Sequence, residues 1–207
     1  MPPKKKSVAL VLALALTLIL LTTCALPDFD LITYPPWSTI YNAARDERSV
    51  VDILLDKAIS TQIKTALLQE NGELGLKVKV YCFLRRVTLL GQVDDDAFKA
   101  LAVATAWETE GVRGVGTGWV APGRTGTTAA DLHIAARLRA ALVGDQDISA
   151  TQIEAEVFGG RVYLIGIVRS QQDEDRALAH AMAVRGVTGV TSFLFPLEDS
   201  GRAPEER

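Results

Sequence analysis

Apolar residues recur along the chain in two stretches that share the same order of helix and strand patterns. Each stretch begins with apolar positions spaced i, i+4, i+7 and i+8, which is the stripe of a helix packed on one side. The spacing predicts helices over about 55–69 and 130–144. The stripes consist of Ile59, Ile63, Ala66 and Leu67 in the first helix and Ile134, Leu138, Ala141 and Leu142 in the second.

Alternation of apolar and polar residues follows each helix and predicts two short strands joined by a tight turn. The turn falls at Leu84-Arg85 in the first stretch and at Gly159-Gly160 in the second. Glycine suits such a turn because it adopts positive φ without strain. The alternating residues are Val78, Val80, Cys82, Val87 and Leu89, matched by Ile153, Ala155, Val157, Val162 and Leu164.

An alanine-rich helix and a last strand complete each stretch. Asp94–Asp96 place carboxylates at the positive end of the first of these helices, and Gly111 and Gly186 are predicted to be helix C-caps. The last strands are predicted over 112–120 and 187–195. Because a helical crossover joins the second and third strands, these strands are expected to be parallel. The pattern predicts an α+β fold of two tandem αββαβ units, each a three-stranded mixed sheet packed by two helices on one face.

The two stretches are copies of one unit. A shift of 75 residues aligns 56–120 with 131–195 without a gap and gives 17 identities over 65 positions. The match is closest where Gly111-Val112-x-Gly114-Val115 meets Gly186-Val187-x-Gly189-Val190. Since a unit of this size is marginally stable alone, the two copies are expected to pack on each other.

The N-terminus has the composition of a secretion signal. Lys4–Lys6 precede an apolar run from Val8 to Leu21, which is short for a membrane-spanning helix. The segment Leu21-Thr22-Thr23-Cys24 resembles the bacterial lipobox, which implies cleavage before Cys24 and lipidation of its thiol. Ala25 follows the cysteine, and by resemblance to the sorting rule of enteric bacteria it favours an anchor in the outer membrane, facing the periplasm. Ordinary secretion and an uncleaved N-terminal anchor are the competing interpretations.

The net charge argues against one class of partner. Removal of Lys4–Lys6 leaves 19 basic residues against 25 acidic ones, a net charge near −6. So acidic a chain is a poor candidate for binding nucleic acid, because the phosphate backbone attracts basic surfaces.

The sequence contains no motif for catalysis or for a bound cofactor. Its two histidines, His133 and His180, fall in different helices without a serine, cysteine or carboxylate motif around them. No glycine-rich phosphate loop or zinc-ligand spacing occurs, and Asp94–Asp96 are better explained as a helix start than as a metal site. If Cys24 is lipidated, Cys82 has no disulfide partner and is expected to be a small buried hydrophobe. We therefore expect no enzyme activity, no cofactor and no metal.

The strand signatures Arg86-Val87-Thr88-Leu89-Leu90-Gly91 and Arg161-Val162-Tyr163-Leu164-Ile165-Gly166, each followed by Gly-Val-x-Gly-Val, resemble the BON domain. Two such domains behind a lipobox are similar to the dual-BON outer-membrane lipoproteins, the DolP-like group. Asp46–Val50 is also similar to the entry segment of that group. The resemblance implies a protein that binds phospholipid at the membrane surface and helps to maintain the permeability barrier of the envelope.

In DolP-like proteins lipid contact is assigned to the first helix of the second domain. That helix has two arginines, which bind phosphate well, and small apolar residues that suit an interface. His133 stands where DolP-like proteins have an aromatic anchor, and the second domain over 131–195 has six arginines against eight acids. The residues that the resemblance assigns to lipid are Leu132, His133, Ala136, Arg137, Arg139 and Ala140.

Together these observations predict a signal peptide (1–23), a lipidated N-terminus with a spacer (24–50) and a first BON domain (51–120). A linker (121–129), a second BON domain (130–196) and a disordered tail (197–207) follow. Two functions fit this organisation. The first is a non-catalytic lipoprotein that binds anionic phospholipid and supports envelope integrity. The second is an adaptor whose BON domains bind another envelope protein.

Overall fold

Each half of the chain folds into a three-stranded sheet with helices on one face. The computed structural model describes residues 48–120 and 129–197. The predicted signal peptide, Cys24 and most of the predicted spacer (1–47), most of the predicted linker (121–128) and the tail from 198 lie outside the described residues. None of the helices within the two described ranges combines the length and the apolar character needed to cross a membrane.

Six elements form the first domain and five, with one 3₁₀ turn, form the second. The first domain comprises α1 (Val50–Glu70), α2 (Gly72–Lys77), β1 (Val78–Phe83), β2 (Arg86–Gly91), α3 (Asp96–Glu108) and β3 (Gly114–Trp119). The second comprises α4 (Ala129–Gly144), the 3₁₀ turn Ala150–Gln152, β4 (Ile153–Phe158), β5 (Arg161–Val168), α5 (Gln171–Ala183) and β6 (Gly189–Pro196).

The two sheets have the same topology. Their strand orders are β1-β2-β3 and β4-β5-β6. In each, the first pair is antiparallel and the second pair is parallel. The predicted tandem α+β fold with a mixed three-stranded sheet is therefore confirmed.

Side-chain caps set the ends of several helices, and two of them correct the sequence analysis. Ser49 accepts a hydrogen bond from the Asp52 amide and starts α1 five residues earlier than predicted. The Asn71 side chain caps α2, a helix that the sequence analysis missed. Asp95 caps α3 within the predicted acidic start.

The assignment of Gly111 and Gly186 as C-caps is wrong in position. Both have positive φ, 89° and 100°, as the assignment required. However, α3 ends at Glu108 and α5 at Ala183, so each glycine lies in the turn beyond its helix. The earlier ends have caps of their own, because the amides of Thr109 and Val184 donate to carbonyls of the last helical turn.

Each domain has its own core between its helices and one face of its sheet. In the first domain, Ile59, Ile63 and Leu67 of α1 pack against β1, β2 and α3. Cys82 belongs to this core and is 8% exposed, which confirms it as a buried hydrophobe. Burial raises the pKa of its thiol far above the usual range, and the adjacent Asp56 carboxylate adds to that rise, so the thiol is inert.

A third core lies between the two sheets, on the faces opposite the helices. Its buried members from both domains are Phe83, Leu90, Val120, Phe158, Tyr163, Ile165, Ile167 and Phe195. Glycines allow a close approach, since a Cβ on Gly116 would lie 3.2 Å from the Phe193 ring and one on Gly118 would lie 3.2 Å from the Tyr163 ring. The expected packing of the two copies on each other is confirmed.

Polar contacts border this sheet-to-sheet core. The Lys79 ammonium lies 2.7 Å from both carboxylate oxygens of Glu156, and the Tyr81 hydroxyl donates to the same carboxylate. The Arg86 guanidinium lies 4.4 Å from the centre of the Phe195 ring, a cation–π contact between the domains. The two domains are thus joined by apolar packing and by charged contacts.

Candidate functional site

The first helix of the second domain, α4, has one buried face and one exposed face. Its buried residues are Asp131, Ile134, Leu138 and Leu142, which face the sheet. All six residues predicted to contact lipid lie on the exposed side of α4: Leu132, His133, Ala136, Arg137, Arg139 and Ala140. Leu132 is 61% exposed, and Val143, which the sequence analysis did not include, is 64% exposed.

The exposed face of α4 has apolar residues along its middle and basic residues on both sides. At about 100° per residue, the apolar members fall within an arc of about 80°, comprising Leu132, Ala136, Ala140 and Val143. Arg139 borders one edge of this arc, while His133 and Arg137 border the other. We call this surface the α4 stripe. An apolar strip with cations along both edges is typical of a helix that lies at a membrane interface.

The two edges of the α4 stripe differ in their neighbours. On one edge, the Arg139 guanidinium lies 4.0 Å from the Glu154 carboxylate, with both side chains nearly half exposed. A pair so exposed contributes little and leaves Arg139 accessible. On the other edge, in the part of the chain that the structure describes, the side chains of His133 and Arg137 have no ion-pair or hydrogen-bond partner.

An open groove of about 570 Å³ adjoins this second edge. Its walls come from α4, from the β4–β5 turn and from the turn before β6. His133 and Arg137 line it on the helix side, and Arg185 lines it on the opposite side. Within the described ranges, Arg185 also has no ion-pair or hydrogen-bond partner. The groove therefore gathers three basic side chains from two separate segments.

A buried aspartate shapes the floor of the groove. Asp131 is 1% exposed, and its two carboxylate oxygens accept hydrogen bonds from the amides of Gly159 and Gly160, at 3.1 and 2.8 Å. Both glycines have positive φ, 57° and 78°. Such charge-assisted bonds are strong, so Asp131 fixes the β4–β5 turn against the start of α4.

The first domain has the same arrangement of a buried aspartate and turn amides. Asp56 is 3% exposed and accepts from the amides of Leu84 and Arg85, both at 2.8 Å. It also pairs with the Arg48 guanidinium at 2.9 Å. The repeat aligns Asp56 with Asp131, but no role is predicted for either residue from the sequence. The available signal was an acid at the same helical position of both copies, on the side that carries the apolar stripe.

Asp96 near the start of α3 and the second histidine, His180, have structural partners. Asp96 pairs with Lys99 at 2.8 Å. His180 of α5 lies 2.8 Å from the Asp145 carboxylate, and this hydrogen bond holds the pKa of Asp145 below its usual range. Across residues 48–120 and 129–197, no three His, Cys, Asp or Glu side chains are grouped as a metal ion would require.

The fold and the site define a tandem of two αββαβ domains that presents an amphiphilic helix from its second copy. The family model of the BON domain matches residues 55–117 and 130–194. These two matches cover more than half of the chain, which therefore belongs to the BON-domain family.

Two curated proteins are similar in sequence. The chain is 32% identical over 143 residues to osmotically-inducible protein Y of Escherichia coli (strain K12), covering 67% of this chain and 71% of that protein. It is 29% identical over 143 residues to an uncharacterized protein in the gshII 5′ region of Anaplasma centrale, covering 67% and 93%.

Two solved structures show a remote likeness. The C-terminal domain of CdsD, a structural protein of the type III secretion system of Chlamydia trachomatis, matches at 11% identity with a TM-score of 0.29, covering 69% of this chain and 67% of that one. A second structure of CdsD matches at 15% identity with the same TM-score, covering 72% and 70%. Similarity at this level carries no functional argument.

Proposed function

We propose that this protein is a non-catalytic lipoprotein, anchored through Cys24 to the periplasmic face of the outer membrane, whose second BON domain binds anionic phospholipid. In this proposal the binding surface is the α4 stripe. The binding supports the integrity of the envelope, the role that the resemblance to dual-BON lipoproteins implies. The name of the Escherichia coli relative, which refers to osmotic induction, is compatible with a role in a stress that acts on the envelope.

The observation that carries the proposal is the accessible, amphiphilic face of α4. Leu132 and Val143 are each more than 60% exposed, and large aliphatic side chains so exposed suit contact with acyl chains. The cations at the edges of the stripe reach the level of lipid phosphates, where each contributes about 1 kcal/mol on an anionic surface. Because the second domain has a net charge of −2 over 131–195, any attraction must come from this local arrangement.

Flotation with vesicles tests the proposal. The mature chain from residue 24, with Cys24→Ser so that no acyl chain drives binding, is mixed with vesicles that contain phosphatidylglycerol or only phosphatidylcholine. We expect flotation with the anionic vesicles alone. Binding should weaken with added salt, since exposed charges are screened over about 10 Å at 0.1 M.

A pair of charge reversals on the stripe gives the sharper comparison. Arg137→Glu with Arg139→Glu should weaken binding by at least about 2 kcal/mol, or roughly 30-fold. The matched control is Lys57→Glu with Arg113→Glu, two exposed positions of the first domain with the same change in net charge. Loss of flotation in both variants would indicate an effect of net charge and would contradict a specific role for α4. Flotation of the wild-type chain with neither vesicle would reject lipid binding.

A second function, that of an adaptor, is favoured by a separate apolar surface. The start of α1 exposes Val50, Val51 and Leu54 by 63–67%, and exposed aliphatic clusters of this kind often bind proteins. The adaptor hypothesis predicts that a photo-crosslinker at Leu54 joins one envelope protein in cells, and that Val51→Asp abolishes this product. It also predicts that the Arg137 and Arg139 reversals leave the product unchanged.

A further inference from the structure

The groove beside the α4 stripe has three basic residues, and the duplication allows each to be compared with the equivalent residue of the first domain. The shift of 75 residues places each groove residue of the second domain opposite a residue of the first. At the three basic positions the first domain has a neutral or acidic residue: Ala58 opposite His133, Gln62 opposite Arg137, and Glu110 opposite Arg185. These three basic residues therefore belong to the second copy alone, whereas the first copy has arginines at two other groove positions, Arg85 opposite Gly160 and Arg113 opposite Thr188.

The groove is also rigidly built. A Cβ on Gly160 would lie 2.9 Å from the Gly186 carbonyl oxygen, so the β4–β5 turn and the turn before β6 are in close contact. The Thr188 amide donates to the Gly160 carbonyl oxygen at 2.8 Å, which ties the two turns together. Because Asp131 fixes the first of these turns to α4, Arg185 and Arg137 are presented from a connected framework.

The acid that lines the groove is held by backbone amides. Asp131 is the carboxylate among the lining residues, and both of its oxygens are engaged by the amides of Gly159 and Gly160. The basic side chains are exposed and, among the described residues, without ion-pair partners. Two guanidinium groups and an imidazole that face one concave space suit an oxyanion, because arginine binds phosphate oxygens in pairs.

We propose that this groove is a phosphate-binding site of the second domain, with Arg185 as its specificity-determining residue. The inference rests on the proposed function in one respect: the phosphate is taken to be that of a lipid headgroup whose acyl chains reach the apolar part of the α4 stripe. Arg137 and His133 hold the phosphate from the helix side, and Arg185 closes on it from the turn before β6.

Two probes separate the possible sources of the phosphate. Dihexanoyl-phosphatidylglycerol, kept below its micelle concentration, supplies a headgroup with short acyl chains, and inorganic phosphate supplies the anion alone. Binding is followed through the NMR amide shifts of Gly159, Gly160 and Gly186. Saturable shifts with the lipid only identify the headgroup as the ligand. Shifts with both probes support the phosphate site and remove the requirement for acyl chains.

Charge exchange between the two copies provides the test of Arg185. Arg185→Glu places the first domain's residue at this one position and should weaken lipid binding by at least about tenfold, because a charge-assisted bond is replaced by repulsion. Arg185→Gln, which keeps the polarity, should lie between this variant and the wild-type chain. Glu110→Arg makes the reverse exchange at the equivalent position of the first domain, with a change in net charge that is equal in size and opposite in sign, and should leave the affinity unchanged.

The outcomes distinguish this inference from the proposed function. No shift at the three glycines with either probe, or unchanged affinity in Arg185→Glu, would overturn the phosphate site. If the wild-type chain still floats with anionic vesicles in that case, the membrane function stands without the groove. Conversely, saturable shifts in a chain that does not float would support the groove and reject the membrane function.

Discussion

The sheet-to-sheet core predicts that the two domains unfold as one cooperative unit, and Ile165→Ala tests this. Ile165 is 1% exposed and lies on the side of β5 that faces the first domain. The substitution removes three buried carbon atoms, at about 0.8 kcal/mol each. The cavity that remains brings the expected loss to about 3 kcal/mol. For a cooperative unit of about 150 residues, this lowers the Tm by about 6–12 °C.

Tryptophan fluorescence reads the effect from the other domain. Trp107 and Trp119 belong to the first domain, and the second domain contains no tryptophan. Trp119 packs against the first-domain core, so its emission reports on that core. With Trp37→Phe as the background, the fluorescence midpoint and the circular-dichroism midpoint should coincide. Ile165→Ala should shift both midpoints by the same amount, although the change lies in the second domain.

Met182→Ala is the matched control, since Met182 of α5 is 65% exposed. This substitution should change the free energy of unfolding by less than about 0.5 kcal/mol. The reasoning fails if the tryptophan midpoint stays in place while the circular-dichroism transition moves or divides in two. That result would mean that the first domain is stable without its partner.

Two further predictions concern single carboxylates of the second domain. Asp131→Asn replaces one carboxylate oxygen, an acceptor, by an amide group that donates and faces a backbone N–H. The substitution should therefore lower the free energy of unfolding in urea by about 2–3 kcal/mol and speed hydrogen exchange of the Gly160 amide. Unchanged exchange would contradict the role of Asp131. The pKa of Asp145 is lowered in the folded protein, mainly because of the hydrogen bond to His180. The ionised carboxylate therefore stabilises the folded state above the unfolded pKa of about 3.9. This contribution is lost as the pH falls through the folded pKa. The difference in stability between the wild-type chain and Asp145→Asn should therefore shrink from pH 6 to about pH 3, and a constant difference would refute this assignment.

Periodic patterns made most of the fold predictable, because each element has one face that must be buried. The stripe of Ile134, Leu138 and Leu142 located α4, and the ungapped repeat carried every assignment from one copy to the other. The misses were local. Helix α2 depends on a cap at Asn71 that follows α1 directly, and no apolar period is visible in six residues.

The candidate site was predictable only where it lies on one element. The exposed residues of α4 follow from the same period that buries its other face. Arg185 could not be found in this way, because it comes from a turn some fifty residues along the chain and reaches the groove only through the contact between Gly160 and Gly186. Periodicity describes single elements, whereas a groove arises from the way in which several elements meet.

The turn between the first two strands differs between the two copies in what its residues contact. In the first copy, Leu84 and Arg85 adopt φ of 47° and 66°, a conformation that is unfavourable for residues with a Cβ by about 1–2 kcal/mol each. The hydrogen bonds that the Leu84 and Arg85 amides donate to Asp56 offset this strain, and Leu84 packs against the sheet-to-sheet core. A side chain at this position therefore serves the contact between the domains.

In the second copy, the same turn consists of two glycines and borders the open groove. A Cβ on Gly160 would lie 2.9 Å from the Gly186 carbonyl oxygen, so a side chain there would push apart the two turns that form walls of the groove. Because the buried aspartate is present in both copies, the difference lies in what the turn carries and not in how it is held. The first copy thus uses the turn for the contact between the domains, while the second leaves it without side chains beside Arg137 and Arg185, which is what the proposed phosphate site requires.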